Sequence, residues 1–333
     1  MHSAEQPLVS VVTPVYNGED FLGECIQSVL GQTYGNLEYV IVNNCSTDRS
    51  LDIARNYAKK DDRIRICDND LFLPSLQNFN HSLRLISSES KYCKIVHADD
   101  WLFPECLEKM AHLAEASPTV GIVGSYRLVG TKVESDGLPC DRKVIPGHEM
   151  ARMNLTDGPY TFGTPSALLI RSDLIRAREK FYNEDHTGAD TEVCLQLLNE
   201  CDFGFVHQVL SFCRVHDQAI TGKNKSMFTS YPNFLYVFKK YGPVFLSTEE
   251  YEAGLKRKMQ TYYRFLGSQL TRFNDKRFWD FHRKGIERLG YSFSWKNVMM
   301  GAVSHAGHRL VDTRQTVKSL AAFFRDQRVN ETQ

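Results

Sequence analysis

The chain has 333 residues, of which 42% are hydrophobic and 24% charged, and its formal charge at pH 7 is zero. These proportions indicate a globular protein with one or two domains, and no run reaches the roughly 18 apolar residues that a membrane span needs. The first 250 residues carry nine more acids than bases, and the remainder carries nine more bases than acids. An acidic front repels phosphate, which argues against nucleic acid as a partner.

The N-terminal segment and the cysteines favour a cytoplasmic protein. Residues 1–12 lack the basic segment, apolar segment and cleavage site of a secretory signal. The nine cysteines are odd in number and contain no Cys-x-x-Cys pair. This pattern argues against a disulfide framework or a zinc ribbon, so we expect reduced and mostly buried cysteines.

The first hundred residues alternate between two hydrophobic periods. Short apolar runs predict buried strands at residues 8–13, 37–42, 63–67 and 92–96. Between the first two strands, Leu22, Ile26 and Leu30 recur at helical spacing, and a second predicted helix carries Leu51 and Ala54. The segment between the third and fourth strands is polar. Alternating strands and helices predict a parallel sheet with helices on its faces.

The pattern changes along the rest of the chain. The later elements of the first region are a helix at 105–116, a strand at 120–125, and a helix at 191–198 between strands at 166–171 and 203–210. From about residue 226 onward the segments are helical and rich in Tyr, Phe, Lys and Arg. We therefore expect two regions, a domain of residues 1–225 and an α-helical, basic and aromatic C-terminal region of residues 226–333.

Polar clusters follow three of the predicted strands at their carboxyl ends. They are TPVYNG at 13–18, NNCSTD at 43–48 and HADDW at 97–101. Ligands of open parallel sheets bind outside the carboxyl ends of the strands, where loops and helix N-termini converge. We therefore expect the three clusters to face one cleft.

Each cluster offers groups that a nucleoside diphosphate could use. Backbone N–H groups near Asn17 can approach a ligand at a helix start. The side-chain amides of Asn43 and Asn44 both donate and accept, which suits the edge of a base. Asp99 and Asp100 supply the hard oxygen ligands that Mg²⁺ or Mn²⁺ prefers, and such an ion can bridge two phosphates.

Each cluster also has a purely structural explanation. Ser46, Thr47 and Asp48 are residues that commonly begin a helix. The two asparagines can form a turn, because Asn tolerates left-handed backbone. The aspartate pair before Trp-Leu-Phe can lie in a loop or at a helix start. The occurrence of all three clusters at successive strand ends favours a binding site.

The run VSVVTPVYNGEDFLGECIQSVLGQTYGNLEYVIVNNCSTDRS, with HADDWLFPECLEKM about fifty residues later, resembles the family 2 glycosyltransferases with the GT-A fold. The resemblance covers roughly residues 8–216. It implies an α/β nucleotide-sugar-binding fold with a mostly parallel, Rossmann-like sheet. It also implies inverting, metal-dependent sugar transfer of the kind used in bacterial cell-surface polysaccharide synthesis.

The resemblance assigns roles in nucleotide binding to two of the loops. Thr13, Pro14, Tyr16 and Asn17 occupy the first nucleotide-contacting loop of the family. Asn44 stands where the family usually has an aspartate that reads the base. Because the amide keeps an acceptor oxygen for an imide N–H, uridine is the expected base.

The resemblance also implies a diphosphate site. Asp99 and Asp100 fall on the acidic motif that binds ribose and a metal-bound diphosphate, with Mn²⁺ or Mg²⁺ as cofactor. His97 replaces the first acid of that motif, where it either contacts ribose or phosphate or simply ends the strand. Arg214 and His216 resemble the Arg-x-His motif that closes the far side of the diphosphate site.

A later acidic residue acts as the catalytic base in the family. Of Glu184, Asp185 and Asp190, we favour Asp190, which directly precedes the predicted helix at 191–198. The structural alternative is that Asp190 is no more than the N-cap of that helix.

Two questions stay open at this point. A protein that binds a nucleotide sugar without catalysis, as a scaffold for glycan assembly, is the alternative to a transferase. The basic and aromatic stretch at 262–285 is either the core of a packed helical domain or a face that rests on anionic lipid near a lipid-linked acceptor. The second interpretation would place the protein at the inner face of the membrane.

Overall fold

The computed structural model describes residues 6–156, 158–185, 188–216 and 227–307. The chain divides into two compact units, Met1–Lys223 and Asn224–Gln333, and each is described by itself. Within the described ranges, no helix combines the length and apolar character needed to cross a bilayer.

The first unit is built on a large sheet. Its strands are β1 (Val9–Val15), β2 (Leu37–Asn43), β3 (Ile64–Asp68), β4 (Tyr92–Ile95), β5 (Trp101–Leu102), β6 (Val120–Val129), β7 (Lys132–Glu134), β8 (Val144–Ile145), β9 (Leu169–Arg171) and β10 (Asp202–Cys213). They lie in the order β3-β2-β1-β4-β9-β6-β10-β5, with β7 beside β6 and β8 beside β10.

The longer strands of this sheet all run in one direction. β1 pairs in parallel with β2 and β4, β2 with β3, and β6 with β10. The short strand β9 is antiparallel to both of its neighbours, β4 and β6, so β4 and β6 also share a direction. β5, β7 and β8 are antiparallel too, but each has only two or three residues. The mostly parallel sheet expected from the sequence is confirmed.

Helices cover the sheet and bury its central strands. They are α1 (Leu22–Leu30), α2 (Ser50–Ala58), α3 (Ser75–Leu83), α4 (Cys106–Ala116), α5 (Gly147–Leu155), α6 (Ser172–Arg176) and α7 (Ala189–Leu197). In β2, both Val40 and Ile41 are fully buried although they point to opposite faces, as expected of a parallel strand with helices on both sides. Leu22 and Ile26 bury the predicted stripe of α1. Burial of such a side chain contributes about 1.5–3 kcal/mol.

Two elements differ from the sequence expectations. The polar segment after β3 forms helix α3, in which three of the four buried residues are polar, namely Asn78, Asn80 and Ser82. The strand expected at 166–171 is confined to β9, because Pro165–Ala167 forms a 3-10 turn.

The second unit is helical. Its elements are α8 (Ser230–Phe245), α9 (Thr248–Ser268) and α10 (Lys276–Arg288), and residues 295–307 are also helical. Helix α9 begins with a capping box, in which Glu250 N donates to Ser247 Oγ at 3.3 Å and Ser247 N donates to Glu250 Oε2 at 3.0 Å.

The core of the second unit contains most of the aromatic residues of the stretch at 262–285. Members of that stretch with less than a tenth of their surface exposed include Tyr262, Tyr263, Phe265, Phe278 and Trp279. These rings therefore pack a helical core, which favours the first of the two interpretations given above for this stretch.

His282 lies at the centre of this core. It is fully buried, its Nδ1 atom is 2.7 Å from the hydroxyl of Tyr262, and its ring centroid is 4.3 Å from that of Phe278. Burial lowers the pKa of His282 to about 4. The imidazole is therefore neutral in the folded protein at pH values where it is partly charged in the unfolded chain.

This difference predicts a pH-dependent stability of the second unit. Between about pH 6.5 and pH 4 the unfolded chain binds a proton that the folded chain does not, so the stabilisation is complete above pH 6.5 and falls by about 3 kcal/mol towards pH 4. His282→Gln should lose this part of the pH dependence. Urea unfolding followed by tryptophan fluorescence tests it in a Trp101→Phe background, where both remaining tryptophans lie in this unit.

The control is His305→Gln, which removes a partly exposed histidine of the same unit and should keep the wild-type slope. An identical pH dependence in wild type and His282→Gln would contradict the assignment.

Candidate functional site

Loops at the carboxyl ends of β1 and β2 are joined by hydrogen bonds. Asn17 N donates to Ser46 Oγ at 3.0 Å, and Thr47 N donates to Asn17 Oδ1 at 2.8 Å. Asn17 and Cys45 have left-handed backbones, with φ of 50° and 58°. Such strained residues persist only where surrounding contacts hold them, and here each loop holds the other.

These contacts correct the expected role of the residues before α2. Ser46 and Thr47 bind the first loop rather than the start of the helix. Asp48 does both, because its Oδ1 accepts from Ser50 N at 2.9 Å and its Oδ2 accepts from Glu19 N at 2.9 Å. The second cluster is therefore a clamp between loops as well as a helix start.

The loop expected to contact the nucleotide contains a buried threonine, Thr13, and an exposed tyrosine, Tyr16. Thr13 is fully buried and its hydroxyl is 3.0 Å from that of Tyr39, so its side chain lies in the core rather than in a cleft. Pro14 lies within β1 beside Val42. Tyr16 is 52% exposed, and its ring meets that of Phe72 edge to face at 4.9 Å. Of the three side chains, that of Tyr16 is the one open to a ligand.

The two asparagines at the carboxyl end of β2, Asn43 and Asn44, are buried. Asn44 Oδ1 accepts from Leu73 N at 2.9 Å and from Asn69 Nδ2 at 3.0 Å, and Asn44 Nδ2 donates to Leu73 O at 2.8 Å. The amide expected to read a base thus holds the segment after β3 in place. Asn43 Nδ2 donates to Asp68 Oδ1 at 2.7 Å, while Asn43 Oδ1 has no hydrogen-bond partner among the described residues.

Asp100 is the most enclosed member of the acidic cluster, with 5% of its surface exposed. Its Oδ1 accepts from Arg214 N at 3.0 Å, and its Oδ2 accepts from Ser166 Oγ at 2.6 Å. Ser166 Oγ in turn accepts from His97 N at 3.1 Å. Burial raises the pKa of the Asp100 carboxyl, and the charge of His97, whose Nδ1 is 3.6 Å away, acts in the opposite direction.

Arg214 and His216 lie against the same cluster. His216 Nε2 is 2.9 Å from Asp99 Oδ2, and Arg214 Nε donates to the backbone oxygen of Asp99 at 3.1 Å. The Arg214 guanidinium pairs with Glu24 and lies 4.5 Å from the centre of the Phe21 ring. The end of β10 therefore closes over the turn that follows β4.

The donor set of this cluster fits a divalent cation. One ligand atom from each of His97, Asp99 and Asp100 lies within 4.8 Å of the others. The buried Nε2 atom of His97 has no partner in the part of the chain that the structure describes. Two carboxylates and an imidazole suit Mn²⁺ or Mg²⁺, since these ions prefer oxygen ligands and Mn²⁺ also accepts nitrogen.

Asp190 is the second residue of helix α7, and Gly188 is the N-cap, so the N-cap alternative for Asp190 is wrong. Its Oδ1 accepts from Thr191 N at 2.8 Å. Burial raises the pKa of Asp190, whereas the nearby charges of His97 and Arg127 lower it. Asp190 therefore lies within electrostatic reach of the acidic cluster.

The two other candidate bases are placed differently. Glu184 Oε2 pairs with Lys180 Nζ at 2.8 Å, and its Oε1 accepts from Asn80 Nδ2 at 3.0 Å. The hydrogen bond from Lys180, followed by that from Asn80, lowers the pKa of Glu184. Asp185 is exposed and its N–H donates to Asn183 Oδ1 at 3.1 Å. Asp190 is thus favoured by its surroundings.

Sequence reasoning missed two residues of the site. Ser166, which links Asp100 to His97, is the first residue of the strand that the sequence predicts at 166–171. Arg127 in β6 is 8% exposed, and its NH2 atom is 2.6 Å from Glu134 Oε2. Its Nε and NH1 atoms have no partner within the described ranges. The charge of a buried arginine acts on Asp190, but the strand pattern of residues 120–125 carried no sign of it.

Comparison with known proteins gives a consistent result. The family model described as glycosyl transferase family 2 matches residues 10–178, about half of the chain. An uncharacterized glycosyltransferase of Haemophilus influenzae is 28% identical over 191 residues, which are 55% of this chain and 58% of that protein. The chain thus spans less than two thirds of the length of this relative.

Two solved structures share the fold. Residues 1–349 of S. aureus TarS, in complex with UDP-GlcNAc, match with a TM-score of 0.55 and 16% identity, over 79% of this chain and 72% of that one. The mannosyltransferase PcManGT from Pyrobaculum calidifontis, in complex with GDP-Man and Mn²⁺, matches with a TM-score of 0.52 and 14% identity, over 91% and 88%. The expected GT-A fold is confirmed.

The hydroxyl of Ser166 offers a test of how the acidic cluster is built. Ser166→Ala leaves Asp100 Oδ2 without its hydroxyl donor and the N–H of His97 without its acceptor, so stability should fall by about 1–3 kcal/mol. Because the cluster loses its support, affinity for Mn²⁺ should fall about 10- to 100-fold, measured by electron paramagnetic resonance of free Mn²⁺.

Ser172→Ala is the matched control, since it also removes a buried hydroxyl, which lies 3.1 Å from Ser90 Oγ. It should lower stability without changing Mn²⁺ affinity. Equal Mn²⁺ affinity in Ser166→Ala and wild type would show that Ser166 does not support the cluster.

Proposed function

Because this chain belongs to glycosyl transferase family 2, we propose that it transfers a sugar from a nucleoside-diphosphate sugar to a hydroxyl group of a glycan or lipid-linked acceptor. The observation that carries this proposal is the convergence of the loops after β1, β2 and β4 with the ends of α7 and β10. Open α/β sheets bind nucleotides at this edge. The neighbours bound to UDP-GlcNAc and GDP-Man support a nucleotide-sugar donor, and we propose a UDP-sugar.

The donor nucleotide is proposed to lie along the first two loops. The exposed ring of Tyr16 offers a stacking surface beside Phe72, and Asn17 presents its loop at the start of α1. Asn43 Oδ1 is a buried acceptor without a partner among the described residues, next to Asn44, which fixes the surrounding backbone. The imide N–H of uracil is the kind of donor that such an oxygen accepts.

The diphosphate is proposed to lie at Asp99 and Asp100. A divalent cation bound by these carboxylates, with His97, would supply charge neutralisation for the departing diphosphate. Arg214 adds positive charge and His216 adds a hydrogen-bonding imidazole on the far side of the same site. Ser166 and the backbone N–H of Arg214 hold the Asp100 carboxylate in one orientation.

Asp190 is proposed as the general base. A carboxylate near the acceptor hydroxyl takes its proton as the new glycosidic bond forms, and attack opposite to the leaving diphosphate inverts the anomeric centre. Burial raises the pKa of Asp190, which makes its carboxylate a stronger base than an exposed aspartate. Transfer should therefore fall as the pH decreases through this raised pKa.

The proposed acceptor and location rest on the charge of the second unit. Its excess of basic residues suits an anionic surface, so we propose that the protein works in the cytoplasm at the inner face of the membrane, on acceptors of polysaccharide synthesis. The first unit would carry nucleotide-sugar binding and catalysis, and the second unit would carry the membrane contact.

A non-catalytic scaffold that binds a nucleotide sugar is the alternative function. It would account for the replacement of an acid by His97 and of the base-reading aspartate by Asn44. Retention of Asp99 and Asp100, together with Asp190, whose pKa is raised, favours catalysis. The two functions differ in turnover.

Turnover and the role of Asp190 are tested together. Wild-type protein with Mn²⁺ and a glycan or lipid-linked acceptor should transfer the sugar from one member of a panel of nucleotide sugars to an acceptor hydroxyl and release nucleoside diphosphate, and EDTA should stop the release. Asp190→Asn should bind the same donor with wild-type affinity, while transfer falls by about 10²- to 10⁴-fold because an amide accepts no proton. Donor binding is measured by calorimetry.

Glu184→Gln is the matched control, because it removes a nearby carboxylate that already pairs with Lys180. It should keep transfer close to wild type. Donor binding without release under any condition would support the scaffold, and normal release by Asp190→Asn would remove Asp190 as the base.

A further inference from the structure

An exposed apolar surface lies on the second unit. Its members and their exposed fractions are Phe273 66%, Trp295 39%, Met299 55%, Met300 54% and Val303 74%. We call these five residues the apolar surface. They lie outside the core that the other aromatic residues of this unit form, so the packing of the described residues leaves them to solvent.

The apolar surface follows from helical geometry. Trp295, Met299 and Val303 are spaced four residues apart on the helix at 295–307, so they lie on one side of it. The ring of Phe273 lies 5.9 Å from that of Trp295 and extends the surface beyond the helix. Exposed apolar side chains scattered singly are ordinary, but an aligned group marks a site of interaction.

The opposite side of this helix is fixed to the core. Val298 on that side is fully buried. Trp295, at the edge of the apolar surface, also contacts the core, since its ring lies 4.8 Å from that of Trp279. Gly301 lies so close to Tyr263 that an added Cβ would be 2.1 Å from the Tyr263 backbone oxygen. The helix therefore presents the apolar surface in a fixed orientation.

Exposed basic residues lie close in sequence to members of the apolar surface. Lys296 is exposed on the same helix, and Lys276 and Arg277 are exposed at the start of α10, a few residues after Phe273. Residues 272–307 contain seven Lys and Arg residues against three Asp and Glu residues. Exposed Trp, Phe and Met side chains beside Lys and Arg match the boundary between acyl chains and anionic head groups.

We propose that the apolar surface inserts into the interfacial region of an anionic membrane while Lys276, Arg277 and Lys296 contact the lipid head groups. This rests on the proposed function in one respect, that the acceptor is at a membrane, and it names the surface that makes the contact. The stretch at 262–285 contributes Phe273 to this contact, whereas its buried rings do not take part.

The test uses the full-length protein without nucleotide sugar, so that its outcome is independent of transfer. Vesicles of phosphatidylcholine with phosphatidylglycerol should sediment the protein at low salt, and higher ionic strength should release it because the charges are screened. Vesicles of phosphatidylcholine alone should bind it more weakly. Brominated lipid should quench the fluorescence of Trp295, and this quenching should be lost in Trp295→Phe.

Variants separate the apolar surface from general stickiness. Met299→Ser with Val303→Ser should weaken vesicle partitioning by about tenfold or more, since each removes an apolar side chain from the lipid. Lys296→Glu should weaken it through charge. Val244→Ser is the matched control, because Val244 is 49% exposed in α8 of the same unit and outside the apolar surface. It should bind as wild type does.

Three results would overturn the proposal. They are equal binding by Met299→Ser/Val303→Ser and wild type, no binding of the wild type to anionic vesicles at low salt, and burial of the apolar surface in a dimer of the chain that Met299→Ser/Val303→Ser dissociates. Circular dichroism shows whether each variant is folded. If the protein transfers sugar but does not bind vesicles, the proposed transferase activity stands and the membrane proposal fails. If the protein binds vesicles through the apolar surface but does not transfer sugar, the membrane proposal stands and the proposed activity fails.

Discussion

The buried carboxylate of Asp100 is the interaction on which the rest of the site depends. Its two oxygens accept from Ser166 Oγ and from the backbone N–H of Arg214, so the turn after β4, the 3-10 turn before β9 and the end of β10 meet at one side chain. A carboxylate with 5% exposure is costly unless it is hydrogen bonded, and these donors offset that cost. The same turn brings His97 and Asp99 close to Asp100, and His216 pairs with Asp99.

The loops after β1 and β2 are likewise held in place by hydrogen bonds between their own polar groups. Asn17 and Cys45 adopt left-handed backbones, and Ser46 and Thr47 hold the two loops together through hydrogen bonds to Asn17. Polar groups that could bind a ligand thus also form hydrogen bonds with each other. A nucleotide would meet a preformed edge, which reduces the ordering that binding must accomplish.

Hydrophobic periodicity was enough to predict the four N-terminal strands, and the carboxyl ends of the first, second and fourth identified the edge where Asp99 and Asp100 lie. It did not predict α3, because polar residues outnumber apolar ones along this segment and three of the four buried residues, Asn78, Asn80 and Ser82, are polar. It also missed Ser166, whose hydroxyl matters only because a turn brings it to Asp100 across 66 residues of sequence. Met299 and Val303 are exposed, whereas Tyr262 and Phe278 are buried. This difference depends on tertiary packing and cannot be predicted from the composition of the segment.

We propose that one edge of the sheet holds a nucleoside diphosphate and its cation through Asp99 and Asp100. Anomalous X-ray scattering from a crystal grown with Mn²⁺ and UDP tests it directly, because manganese gives a signal that no protein atom imitates. The account predicts a manganese peak in coordination contact with carboxylate oxygens of this pair, with the diphosphate beside it and the uracil near Tyr16 and Asn43. A nucleotide bound at another edge of the sheet, or manganese bound away from both aspartates, would contradict it.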